Sequence, residues 1–269
     1  MKASRAVLAA LSVHALIGFG GMSTWRGRAP EPLAAGSAPT RIEVRRPRED
    51  LILTRDTEGP WVVARQDDLA DSEAVESLLS GLRSLSFGPI VAPAGGAAAS
   101  GLGPADAARV RVLDAAGRTL FDGFFGRRLF GRSSYFQAAE GAPVRLAAGL
   151  EPELLLRSSG QWREPRLLPG GCPGGLELFI RGAWRAAPAE TAQELCSLRA
   201  SHWATGTPDG LAGFDRPLLR ARTADGRGFT VGDRRGRERL ARVDGRIPLL
   251  RIPAAAIETA AADLIGSTP

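Results

Sequence analysis

Cys172 and Cys196 are the only cysteines of the 269-residue chain, and an even number in an exported chain permits one disulfide. Closing a loop of about 25 residues would stabilise the fold by roughly 3 kcal/mol, by restricting the unfolded chain. Two separate thiols are the alternative. A zinc site from Cys172, Cys196 and His202 lacks the close ligand pairs of structural zinc modules. His202 is the only histidine besides His14, and a Ser-His-Asp hydrolase would have to use it. Such an enzyme would also need a nucleophile elbow, and the chain has no Gly-x-Ser-x-Gly. The glycine-rich run from Gly95 to Gly101 ends without the Gly-Lys-Ser/Thr of a phosphate loop. Carboxylate pairs, Asp67 with Asp68 or Asp122 with Asp106, could exchange protons, but they stand in turns, where Asp is favoured for local hydrogen bonding. These residues argue against an enzyme: no catalytic, cofactor-binding or metal-binding residue is expected, and no cofactor.

A contact surface is the better candidate. Trp61, Trp184, Phe121, Phe124, Phe125, Phe130, Tyr135 and Phe136 are the aromatic supply, and most of them are expected in the core because they alternate within strands. Phe124 and Phe125 are adjacent, so one of them should face outward beside Arg127 and Arg128. Phe124, Phe125, Arg127 and Arg128 are therefore the expected partner surface.

Two strands must carry that surface: Arg109–Leu113 and Arg118–Gly126, joined by the turn Asp114-Ala115-Ala116-Gly117 and preceded by the elbow Gly101-Leu102. The same order returns as Gly210-Leu211, Leu218–Arg222, the turn ending in Gly226, and Arg227–Gly232. A shared offset over about 25 residues indicates duplication. The first copy, 41–158, opens with alternating runs at Arg41–Arg45 and Leu51–Arg55, then Trp61–Ala64. A helix capped at Asp71 or Ser72 follows, with Val75, Leu78, Leu79, Leu82 and Leu85 on one stripe. A Pro- and Gly-rich boundary, 159–173, leads to a shortened copy, 174–265. The expected fold is α+β: two tandem domains, each an antiparallel sheet with one long packing helix and a short closing helix.

Ahead of them, Lys2 and Arg5 precede an uncharged stretch from Ala6 to Trp25. This is an anchor or signal segment, 1–25, followed by a flexible linker, 26–40. The bulk of the chain is then expected in the periplasm, anchored in the inner membrane or released there after signal cleavage. The net charge of +6 is an arginine excess spread along strands and loops rather than gathered in a run. It brings no nucleic-acid motif, so a nucleic-acid partner is not expected.

Taken together, the opening strand Ile42-Glu43-Val44-Arg45-Arg46-Pro47, the Gly59-Pro60-Trp61 turn, the Ala70-Asp71 helix start, the Gly-Leu-x-x-Pro-like elbow and the Asp114–Gly117 turn resemble a bacterial family catalogued as domain of unknown function 4340. The likeness covers 41 to about 157 well and 174–265 more loosely. Gly103 stands where the family has a polar spacer. The resemblance implies an envelope protein, often encoded beside an ABC transporter associated with gliding motility, with no settled activity. The expected function is thus a non-enzymatic, membrane-tethered interaction module whose partner is another envelope or membrane protein, such as a transporter subunit. A domain binding envelope polysaccharide or peptidoglycan through arginines and outward aromatics is the alternative. A degenerate hydrolase is the third.

Overall fold

Alternating apolar and polar residues give half-buried strands, and a turn that returns each strand onto its predecessor gives an antiparallel ladder. The computed structural model describes residues 30–93, 96–180, 182–204, 212–246 and 248–266. The expected anchor, the first four residues of the linker (26–29) and the second elbow, Gly210-Leu211, lie outside them. Within Pro32–Pro269, which form one compact unit, the chain builds two large antiparallel sheets.

The first sheet contains β1 (Arg41–Arg45), β2 (Asp50–Thr54), β3 (Val62–Val63), β4 (Asp68–Leu69), β5 (Ser86–Ala92), β6 (Ala108–Leu113), β7 (Thr119–Arg128), β8 (Ser133–Gln137) and β9 (Val144–Ala148). Helix α1 (Ser72–Arg83) lies between β4 and β5 in the chain, and α2 (Pro152–Leu156) follows β9. The second sheet contains β10 (Leu176–Ile180), β11 (Ala183–Ala186), β12 (His202–Ala204), β13 (Leu219–Thr223), β14 (Gly228–Arg235), β15 (Glu238–Val243) and β16 (Leu249–Pro253). Here α3 (Ala189–Cys196) lies between β11 and β12, and α4 (Ala254–Gly266) follows β16.

The first sheet is ordered β4-β3-β2-β1-β6-β7-β8-β9-β5 and the second β11-β10-β13-β14-β15-β16-β12. From β2 to β5 the first sheet matches the second strand for strand, and the helices fall at the same points of both paths. The internal likeness in sequence therefore coincides with one topology used twice. Its turns correspond as well: Gly117 and Gly226 both take the left-handed conformation, φ 75° and 85°, which glycine adopts without steric cost.

The α+β expectation is overturned. Among the described residues strand takes 39% and helix 19%, so the fold is β-rich and no long helix organises either half. Helix α1 has 12 residues and α4 has 13, against sheets of nine and seven strands. The difference arises where sequence periodicity is weakest. Ser86–Ala92 contains Gly88-Pro89, a break in any strand pattern, yet it is the edge strand β5, the position at which proline is tolerated. Its pairing with β9 shifts register on both sides of Ile90.

Asp71 is the cap of α1, accepting hydrogen bonds from the backbone N–H groups of Glu73 and Ala74 at 3.1 and 3.3 Å. The stripe Val75, Leu78, Leu79 and Leu82 is fully buried against the inner face of the first sheet. Trp162 closes that core, while Leu167 and Leu168 enter the core of the second sheet. The Pro- and Gly-rich boundary thus packs on both sides. Asp68 of β4 reinforces the junction: its carboxylate accepts from Arg163 Nε at 2.8 Å and from Arg246, in the β15–β16 turn, at 2.8 and 2.9 Å. Arg246 also donates to the backbone carbonyls of Glu164 and Arg166.

Candidate functional site

The elbow end of β7 forms the most developed concavity among the residues expected to meet a partner. Gly126 lets the chain approach here: a Cβ at this position would stand 2.8 Å from Leu102 Cγ and collide with the Ser100 carbonyl oxygen. Gly101 returns the contact with φ +68°, where a Cβ would meet the Arg127 amide nitrogen at 2.8 Å. The pairing of β7 with β8 shifts register between Phe125 and Arg128, and past that irregularity both Arg127 and Arg128 border one cavity. On the other side α2 starts at Pro152, fixed for a helix start, and buries Leu154 and Leu155 while Leu156 stays 72% exposed.

The result is a groove of about 310 Å³ bordered by Phe125, Arg127, Arg128, Asp106, Leu155 and Leu156, with Gly101, Ala108, Gly126 and Pro152. Its volume falls at the small end of ligand-binding cavities. Arg128 pairs with Glu153 of α2. Arg127 is exposed and makes no ion pair among the described residues. An apolar wall beside a guanidinium that is not engaged in an ion pair can hold an apolar side chain and a neighbouring carboxylate.

The four expected surface residues separate. Phe125 is 3% exposed and packs edge-on against Phe136 with ring centroids 5.2 Å apart; it supports the groove from the core. Phe124 points to the opposite face of the sheet, with the Arg109 guanidinium 5.1 Å from its ring centroid, and takes no part in the groove. Phe130 and Trp184, grouped in sequence with the aromatic supply of the core, lie outside it: Phe130 is 79% exposed in the β7–β8 turn, and Trp184 is half-buried on the outer face of the second sheet.

The candidate chemistry resolves residue by residue. Cys172 and Cys196 are joined in a disulfide with Cα atoms 5.8 Å apart, which leaves neither as a thiolate ligand. His202 Nδ1 lies 3.1 Å from Glu238 Oε1, and the Ser201 hydroxyl donates to the same oxygen. A hydrolytic relay needs the hydroxyl on the imidazole; here both groups compete for one carboxylate. The Ser201 hydrogen bond holds the Glu238 carboxyl below its usual range against the opposing effect of burial, with His202 and Arg251 adding to it. Asp122 accepts two hydrogen bonds from Arg109, at 2.9 and 2.7 Å, and Asp68 is held by two arginines. The carboxylates singled out as proton carriers are therefore bound to guanidinium groups, apart from Asp106 at the groove and Asp67 beside Asp68.

The outer face of the first sheet is a lattice of opposite charges. Glu43 of β1 receives Arg41 Nε at 2.8 Å and Arg45 Nη2 at 3.1 Å, and Arg111 lies 3.7 Å away. Burial would raise the Glu43 carboxyl, but the hydrogen bond and charge of Arg41, then Arg45 and Arg111, hold it below the usual carboxylate range. This lattice follows from register, since Glu43 opposes Arg111 and Arg111 opposes Asp122. Alternation alone places these residues outward but cannot say which ones meet. Neither the groove nor the binding of Asp68 by Arg163 and Arg246 has a local signature in the sequence.

Comparison with family models, with curated proteins and with solved structures finds no match. Among the described residues no helix is long and apolar enough to cross a membrane.

Proposed function

We propose that this protein is a non-enzymatic binding module of the bacterial envelope, and that its groove receives a segment of another envelope protein, presenting an apolar side chain next to a carboxylate. The observation that carries the reading is the pairing of exposed Leu156 with Arg127 on the two sides of one cavity. An exposed leucine at a cavity mouth loses water when covered, worth about 1.5–3 kcal/mol if burial is complete. Arg127 supplies the orientation, because its fork accepts a carboxylate in one plane.

Placement in the envelope is supported by the basic and apolar segment 1–25 and by the disulfide, a bond that persists in oxidising compartments. We propose an inner-membrane anchor with the sheets on the periplasmic side. The resemblance to the domain of unknown function 4340 family, with its ABC transporters associated with gliding motility, makes a transporter subunit the partner of choice.

A photoreactive amino acid at position 156 in the full chain, activated in whole cells, tests this reading. The expected result is one crosslinked membrane protein, lost when Arg127→Glu is added. Absence of any crosslinked protein, or capture indifferent to Arg127→Glu, would overturn it.

A further inference from the structure

We propose that β11 is the seam of a two-fold dimer: it pairs antiparallel with β11 of a second copy of this chain, and the two second sheets join into one. A sheet edge displays unpaired N–H and C=O groups that template another strand unless the edge is short, broken or covered. Among the described residues the two sheets have four edges, and three are protected in these ways. β4 has two residues and runs into a bridge between Ala70 and Arg163. β5 contains Pro89 and shifts register twice, and β12 has three residues. β11, Ala183-Trp184-Arg185-Ala186, holds an unbroken register with β10 and has neither proline nor bulge.

The first sheet shows what that edge lacks. There the corresponding strand, β2, is covered by β3, with Leu53 opposite Val63 and Ala64 donating to the Ile52 carbonyl at 3.0 Å. Residues 55–71 separate β2 from α1 and supply the cover, whereas only Ala187 and Pro188 separate β11 from α3. The direction of the free groups follows from the ladder. Ala187 donates to the Leu176 carbonyl at 2.8 Å, and hydrogen-bonded and non-hydrogen-bonded pairs alternate along antiparallel strands. Ala183 and Arg185 therefore bond to β10, while Trp184 and Ala186 turn their N–H and C=O groups away from it.

Register selects a second copy as the occupant. A two-fold axis normal to the sheet can centre the new pair on Trp184, on Arg185 or on Ala186. Centring on Arg185 sets two guanidinium groups directly opposite, which is destabilising. Centring on Ala186 sets Trp184 against Pro188, which has no N–H to give. Centring on Trp184 meets neither obstacle: Trp184 exchanges two hydrogen bonds with its own counterpart, and each Arg185 faces the small Ala183 of the other copy. The rings then extend a row already present. Phe179 and Trp184 are cross-strand neighbours with centroids 5.3 Å apart, and the axis brings the second Trp184 alongside the first at a Cα separation of about 5.5 Å. Arg222, 4.2 Å from the Trp184 ring centroid, is paired with Glu177, so it adds no net charge to that row. One strand pair buries less area than a permanent dimer needs, so association is weak and concentration-dependent.

The test is sedimentation equilibrium of the full chain in density-matched detergent, from about 1 μM to about 1 mM. A monomer–dimer equilibrium is expected. Trp184→Pro removes the outward N–H at a position where an edge strand tolerates proline, and should weaken dimerisation about tenfold or more, since two hydrogen bonds are lost. Ala183→Glu puts a carboxylate opposite Arg185 of the other copy and should tighten dimerisation about twofold or more. That gain requires a folded protein, so it separates a blocked seam from a broken fold. A monomer at every concentration, which would leave β11 to some other strand, dimerisation untouched by Trp184→Pro, or no tightening by Ala183→Glu would each overturn the proposal.

Discussion

Arg246 lays its Nε and Nη2 against the two carboxylate oxygens of Asp68, at 2.8 and 2.9 Å, across a separation of 178 residues. Both side chains are withdrawn from water, Asp68 completely. Breaking such a pair from one side costs about 3–5 kcal/mol where no other partner remains, and the lower end applies here because Arg163 still donates to Asp68 at 2.8 Å. Arg246→Leu is therefore expected to lower the unfolding free energy in urea by about 3 kcal/mol. A loss under about 1 kcal/mol would show that the contact does not hold the halves together.

The same contact governs acid stability. Burial alone would raise the Asp68 carboxyl; the hydrogen bonds and charge of Arg246, then those of Arg163, outweigh it and hold the group below its usual value. A carboxyl depressed in the folded state contributes stability that is fully present above its unfolded pKa, about 3.9. That contribution is lost as pH falls through the lower folded value. Urea unfolding measured from pH 7 to pH 3 should show stability declining below about pH 4, with a shallower decline in Asp68→Asn. Equal slopes in the two proteins would assign the acid limb to other carboxylates, Glu43 and Glu49 being held low in the same way.

The disulfide ties Cys172, ahead of β10, to Cys196 at the end of α3, 24 residues apart. Cys172→Ser with Cys196→Ser is expected to reduce stability by about 3 kcal/mol through greater freedom of the unfolded chain. Thermal unfolding with and without reductant gives the check: the parent should shift down on reduction and the double variant should not respond.

Gly126→Ala tests how the groove is built. The added methyl meets Leu102 and the Ser100 carbonyl, and overpacking of this kind costs about 1–3 kcal/mol. The elbow must retreat from β7, so crosslinking from position 156 should fall along with stability. Crosslinking retained at full yield would mean that the elbow does not shape the site.

Much of the chain was legible in order. Alternation at Arg41–Arg45, Leu51–Thr54 and Leu219–Thr223 located strands because each has one wet and one dry face. The turn pair Gly117 and Gly226 exposed the repeat because a left-handed position restricts the residue type. Where a strand's pairing depends on a distant partner the signal disappears: β5 contains Gly88-Pro89, and β12 is three residues long. Missing those two edges left too little strand in the reading and too large a role for the helices. The aromatics misled for a related reason. Alternation indicates that neighbours point to opposite faces, but not which face is covered, so Trp184 was expected in the core and the outward member of Phe124-Phe125 could not be named until the sheets had a dry side.

The opening hairpins of each half, the one pairing that two cysteines allow and the helix stripe are properties of local pattern and count, and the amino-acid sequence by itself determined them. Which residues meet across the sheets, Arg127 with Leu156 at the groove, Arg222 over Trp184 and Arg246 on Asp68, only the tertiary structure decided. Those contacts depend on register and on chain reversals up to 178 residues long, and no local periodicity records either.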